Sequence, residues 1–169
     1  TSSDTMGVSA NEHWDYYNDS DTGRLRSFVD NGITISGSRS ISLDTYKDVP
    51  YNKNEFIGTF NMMNTSAANT EIRLEFDYIL HGLPREVEGN DVWVRGDDGG
   101  AWQKVYTYNT DRKNLGLVQN SGTISVSDAL LNSSQDFSTS FQLKYSQQDT
   151  TTLATRNFGN GVTIDNVKL

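Results

Sequence analysis

The chain has 169 residues, with 14 basic and 22 acidic side chains, a net charge of −8 and no cysteine. That length suits a single domain with its own core, and the missing cysteines exclude disulfides, thiolate metal sites and a cysteine nucleophile. The acidic balance makes nucleic acid a poor partner, the two histidines are too few for a multi-histidine metal site, and no apolar run reaches the ~18 residues of a membrane-spanning helix, so neither nucleic acid binding nor membrane insertion is expected.

Residues 1–11 are mostly small and polar and are expected to fray, leaving residues 12–169 as one domain. The run Asn18-Asp19-Ser20-Asp21-Thr22-Gly23 begins like an EF-hand loop but has no glutamate at its twelfth position. It predicts a tight polar turn or a lone calcium loop. From there the dominant period is two. Ile33 and Ile35, Ile41 and Leu43, and then Phe56, Phe60 and Met62 lie at even spacings. The clearest case is 71–81: Ile72, Leu74, Phe76, Tyr78 and Leu80 share one face, and Glu71, Arg73, Glu75, Asp77 and His81 the other. Such alternation predicts a strand with one buried and one wet face. Segments 91–95, 102–108, 141–145 and 162–164 repeat it.

Turn residues separate these runs, as in Asp30-Asn31-Gly32, Ser36-Gly37-Ser38 and Gly159-Asn160-Gly161. Asp97-Asp98-Gly99-Gly100-Ala101-Trp102 resembles the Asp-box hairpin. There an aspartate accepts turn N–H groups, a glycine takes the left-handed region and the tryptophan packs back on the turn. Arg95-Gly96-Asp97 within it reads as a chance tripeptide. The best helical candidate is a short turn over 127–131 capped by Ser127, and 109–122 and 149–157 read as loops. Many short strands divided by frequent turns predict an all-β fold, a two-sheet antiparallel β-sandwich.

Chemistry is sparse. No nucleophile elbow, zinc-protease helix or phosphate-cradling loop occurs. Glu75 and Asp77 lie two residues apart on one strand face, a spacing of about 6–7 Å that a pair of glycosidase carboxylates would tolerate. The wet faces offer a second candidate. Trp93 points away from Val92 and Val94, on the side of Asp91 and Arg95. Arg73, Glu75 and Asp77 join it if 71–81 pairs alongside, and Gln142 and Lys144 extend the set. An aromatic ring among such groups suits a sugar or peptide: the ring takes an apolar face and the polar groups take hydroxyls.

The order of segments carries a resemblance. Trp14-x-Tyr16 precedes Gly23-Arg24, then Ser36-Gly37-Ser38-Arg39-Ser40-Ile41-Ser42-Leu43-Asp44 follows. Next come Ile72 to Tyr78, Asn90-Asp91-Val92-Trp93-Val94 with its Gly-Gly-x-Trp hairpin, and the terminal Gly161-Val162-Thr163-Ile164-Asp165-Asn166-Val167. This resembles the MAM-like and cleaved-adhesin-type jelly rolls of secreted bacterial proteins, and is similar to jelly-roll carbohydrate-binding modules. The resemblance implies a jelly roll with a structural calcium held by Asp165, with Asp44 and Glu12 as partners.

It also implies a non-catalytic adhesion or carbohydrate-binding module of a larger secreted or cell-surface protein. Its partners would be a glycan or a host or matrix surface, and other domains of the same parent chain. The expected ligand-binding set is Trp93, Arg73, Glu75, Asp91, Arg95 and Lys144. A structural accessory domain of a secreted hydrolase and a small glycan-active enzyme using Glu75 or Asp77 are the alternatives.

Overall fold

The computed structural model describes residues 2–9, 12–19, 22–28, 34–45, 51–82, 89–149 and 161–169. Among them run the strands β1 (Ser2–Ser9), β2 (Glu12–Asn18), β3 (Gly23–Phe28), β4 (Ser40–Thr45), β5 (Asn52–Phe60), β6 (Arg73–Leu80), β7 (Asp91–Arg95), β8 (Gln103–Thr107), β9 (Val118–Asn120), β10 (Ile124–Ser125), β11 (Phe141–Asp149) and β12 (Val162–Lys168). The helix α1 spans Val126–Asn132.

One sheet has the order β1-β2-β5-β11-β7-β8; the other runs β10-β6-β12-β4-β3, with β9 also paired to β6. Neighbouring strands are antiparallel throughout. The expected all-β sandwich is what the chain forms. Several connections cross from one sheet to the other, as β4 to β5, β5 to β6 and β6 to β7 do. Strands consecutive in sequence therefore often face each other across the core and do not pair.

Period two explains which side chains fill the space between the sheets. Leu74, Phe76, Tyr78 and Leu80 from β6 are buried, as are Leu143 and Tyr145 from β11 and Val92 and Val94 from β7. They belong to a single apolar cluster. Aromatic rings dominate its middle: Phe76 meets Tyr106 and Tyr145 edge-on at 5.4 and 5.3 Å between centroids and Tyr78 at 5.9 Å. Val126 and Leu130 of α1 join the same cluster.

The helix starts one residue earlier than the sequence suggests, and its cap two residues earlier. Ser125 is the cap, its Oγ accepting from Asp128 N at 3.2 Å. Ser127 instead ties the helix to the segment just before β6, donating to Thr70 O and accepting from Ile72 N. Residues 2–9, expected to fray, form β1 against β2. Backbone pairing along β2 outweighs the weak side-chain signal there. Of the polar run at 18–23, Asn18 is buried and reaches Asn52 and Asn54, and Asp19 accepts from Lys53 N at 2.6 Å; Ser20 and Asp21 lie outside the described residues, as does most of the 149–157 loop.

The β7–β8 hairpin turns as an Asp box does on one count. Asp97 Oδ1 accepts from Gly99 N at 2.8 Å. Neither Gly99 nor Gly100 takes the left-handed region, however. Crowding sets the glycines: a Cβ on Gly100 would sit 2.6 Å from Gln135 Oε1, and one on Gly96 only 2.1 Å from the backbone carbonyl of Asp136. Backbone on backbone leaves no flexible partner to move. Gly96→Ala is therefore expected to destabilise by about 1–3 kcal/mol, the usual cost of forced overpacking, read as a lower urea midpoint with an unchanged slope.

Candidate functional site

On the sheet built around β5, β11 and β7, the residues that alternate with the core face outward. Lys144 lies opposite Trp93 across β11 and β7. Lys53, Glu55, Gly89, Asp91, Trp93, Lys104, Lys144, Ser146 and Gln148 line a cleft of about 380 Å³ on this face, a volume toward the lower end of small-ligand sites. Trp93 is half-buried in it.

A bulge brings the second tryptophan to the same face. Asp91 and Val92 pair with Thr107 and Tyr106, but Trp93 pairs with Lys104, so Val105 is an extra residue in β8. One extra residue reverses the facing of everything beyond it. Lys104 thus stands beside Trp93 and Trp102 beside Arg95. The Arg95 guanidinium lies 4.4 Å from the centroid of the Trp102 ring and Lys144 Nζ 4.2 Å from it. Lys144 Nζ is also 5.6 Å from the Trp93 centroid.

The charges are tightly arranged. Glu55 accepts from Lys53 Nζ at 2.8 Å and Lys144 Nζ at 3.0 Å. Burial alone would push the Glu55 carboxyl up, but the hydrogen bonds and charges of the two lysines outweigh it, and the net shift is down. Burial lowers the Lys144 ammonium, partly offset by Glu55. Asp91 is 1% exposed and accepts from Thr107 Oγ1 at 2.6 Å. Arg95 Nε donates to Gln142 Oε1 at 2.7 Å, and Gln142 Nε2 to Thr59 Oγ1 at 3.0 Å, fixing the floor beside the cleft.

Of the expected ligand set, Trp93, Asp91, Arg95 and Lys144 come together here. Arg73 and Glu75 do not: β6 pairs with β12, β9 and β10 in the other sheet. Their wet face points away from Trp93, because the outward faces of a sandwich are opposed. Glu75 and Asp77 do share a face, and one amide, Asn120 Nδ2, bonds both at 3.3 and 2.7 Å. Hydrogen bonds from Asn120 and then Asn166 lower the Asp77 carboxyl.

Asp44 and Asp165, two of the three expected calcium ligands, do not form one donor set. Asp44 is held by the guanidinium groups of Arg24 and Arg26. Asp165 lies one position beyond the Ile164–Ile41 pair, whereas Asp44 adjoins Leu43, opposite Val162. The two carboxylates are therefore four strand residues apart. Asp165 Oδ2 is engaged by Ser36 N and the hydroxyls of Ser36 and Ser40, and Oδ1 by Asn166 N. Glu12 opens β2, and its side chain lies outside the described residues. Among the described residues no three His, Asp or Glu groups converge on a metal position. Asp44 and Asp165, so engaged and so far apart, do not share one calcium shell of six to eight oxygens.

Sequence reasoning missed Lys53, Glu55, Gly89, Lys104, Ser146 and Gln148 in the cleft, and Trp102 beside it. The parity of β5 turns Lys53 and Glu55 away from Phe56, but nothing local says which strand lies beside them. The bulge at Val105 leaves no signature in the sequence.

No family model matches the chain and no curated protein matches it. A solved structure, the enzymatically active domain of tailspike protein 4 from bacteriophage CBA120, is similar with a TM-score of 0.51 and 11% identity, over 94% of this chain and 19% of that one. The chain thus spans about a fifth of that structure's length. The likeness concerns the fold alone.

Proposed function

We propose that this chain is a non-catalytic carbohydrate-binding module whose ligand lies in the Trp93 cleft. One observation carries the reading. Trp93 stands outside the core, in a cleft ringed by lysine, carboxylate and amide groups. A sugar has the same two-sided chemistry, an apolar C–H face and a rim of hydroxyls.

Acid–base chemistry has little support in the cleft. Glu55 is held ionised between two lysines and has no proton to give at neutral pH. Asp77, on the other sheet, is likewise lowered by its amide partners. Adhesion through surface glycans, within a secreted or cell-surface parent protein, is part of the same proposal.

The test is binding to a panel of soluble oligosaccharides by titration calorimetry, with Trp93→Ala as the comparison. Loss of a hot-spot aromatic is expected to weaken binding by roughly thirtyfold or more, the equivalent of about 2 kcal/mol. Unaltered melting of the variant would show that the fold is intact. Binding that survives Trp93→Ala would place the ligand elsewhere.

A further inference from the structure

Resting on the carbohydrate reading, we infer that the sugar this cleft takes is anionic, carrying one carboxylate or sulfate on the residue stacked against Trp93, and that Lys104 meets that charge. The inference begins with a local reversal of sign. The chain as a whole has 14 basic against 22 acidic side chains. The cleft has Lys53, Lys104 and Lys144 against Glu55 and Asp91, with Arg95 on the adjoining wall.

The surplus charge and the free donors sit on different groups. Lys53 and Lys144 share the single carboxylate of Glu55. Arg95 hydrogen-bonds neutral groups, Gln142 Oε1 and the Gly100 carbonyl, and lies over Trp102. Lys104 Nζ is ion-paired with Asp91 Oδ1 at 3.8 Å, a contact too long for a hydrogen bond. That carboxylate already accepts from Thr107 Oγ1 and Gly89 N. Lys104 therefore brings an ammonium whose donors are left for a ligand.

Its position fits. Lys104 Nζ lies 5.8 Å from the Trp93 ring centroid, and the side chain is 50% exposed. The ammonium stands over the indole face, within reach of the substituents of a sugar ring packed against the exposed part of that indole. A charge-assisted hydrogen bond there is about twice as strong as a neutral one. Lys144, 9% exposed and bonded to Glu55, is too enclosed for the same role.

The net charge of −8 limits the ligand. It repels a polyanion along its whole length, whereas one charge seated in the cleft feels mainly the nearby lysines. More distant carboxylates are screened beyond about 8 Å at physiological salt. The favoured ligand is accordingly an otherwise neutral glycan with a single charged residue.

Matched pairs test this by calorimetry: sialyllactose against lactose, a glucuronic-acid-substituted xylotetraose against xylotetraose, and a sulfated galactose disaccharide against its unsulfated form. The charged member of at least one pair is expected to bind about tenfold more tightly, a preference that shrinks at high salt. The responding pair tells carboxylate from sulfate. Lys104→Gln should bring that ratio to within about threefold, while Lys113→Gln, at an exposed loop tip, leaves it unchanged. Equal binding of both members in every pair, or a preference that survives Lys104→Gln, overturns the inference and leaves the carbohydrate reading standing. Absence of binding to every member overturns both.

Discussion

Phe76→Ala is expected to lower stability by about 3–5 kcal/mol, the cost of truncating an enclosed phenylalanine. Phe76 is 0% exposed and sits among Tyr78, Tyr106 and Tyr145. Its β6 backbone cannot collapse into the void without breaking register with β12 and β9. The neighbouring rings are also anchored. The hydroxyls of Tyr78 and Tyr106 bond each other at 3.0 Å, and Tyr78 Oη accepts from Asn109 N. Held rings cannot refill the cavity, so the loss should fall in the upper part of the range. At about 2–4 °C per kcal/mol for a chain of this size, the melting temperature should drop by roughly 6–20 °C. Sugar binding below the transition should be unaffected, since Phe76 faces the core and the cleft lies on the far side of the other sheet. A drop of under about 2 °C would mean that the ring is not enclosed as described.

The sandwich was legible because burial is a local, periodic constraint. Each inward residue of 71–81 announces itself by alternation, whatever its neighbours are. The candidate site was legible only where one strand contained it. Asp91, Trp93 and Arg95 could be grouped by parity alone, and they do share a face. Arg73 and Glu75 would reach Trp93 only if β6 paired beside β7. The connection from β6 to β7 crosses between sheets, which no property of either strand specifies. Trp102 was masked differently. Its spacing matched a hairpin pattern, and only the extra residue at Val105 turns it toward Arg95 and Lys144. Asp44 shows a third kind of limit: a carboxylate at a strand end suits calcium or arginine equally, and Arg24 and Arg26 become its neighbours only when β3 pairs with β4.

The cleft's own stability gives the second large effect. Glu55→Gln removes the carboxylate that neutralises Lys144 while keeping its shape. Breaking a buried ion pair from one side leaves an uncompensated charge and costs about 3–5 kcal/mol when the pair is fully enclosed. Glu55 keeps 20% of its side chain exposed and Lys144 9%, so roughly 2–3 kcal/mol is expected here. Lys144→Met should behave differently, staying within about 1 kcal/mol of the parent protein. The methionine fills the space between the two tryptophans, and Glu55 retains Lys53 as its partner. The pH dependence has a definite sign. A carboxyl lowered in the folded state lends stability above its unfolded value of 4.5 and loses it as pH falls through the folded value. The difference between the parent protein and Glu55→Gln should therefore be full at pH above about 5 and close below the folded value of Glu55. Urea unfolding at neutral and acid pH measures both. A gap of the same size at both values would show that the glutamine acts through packing and not through the lost charge.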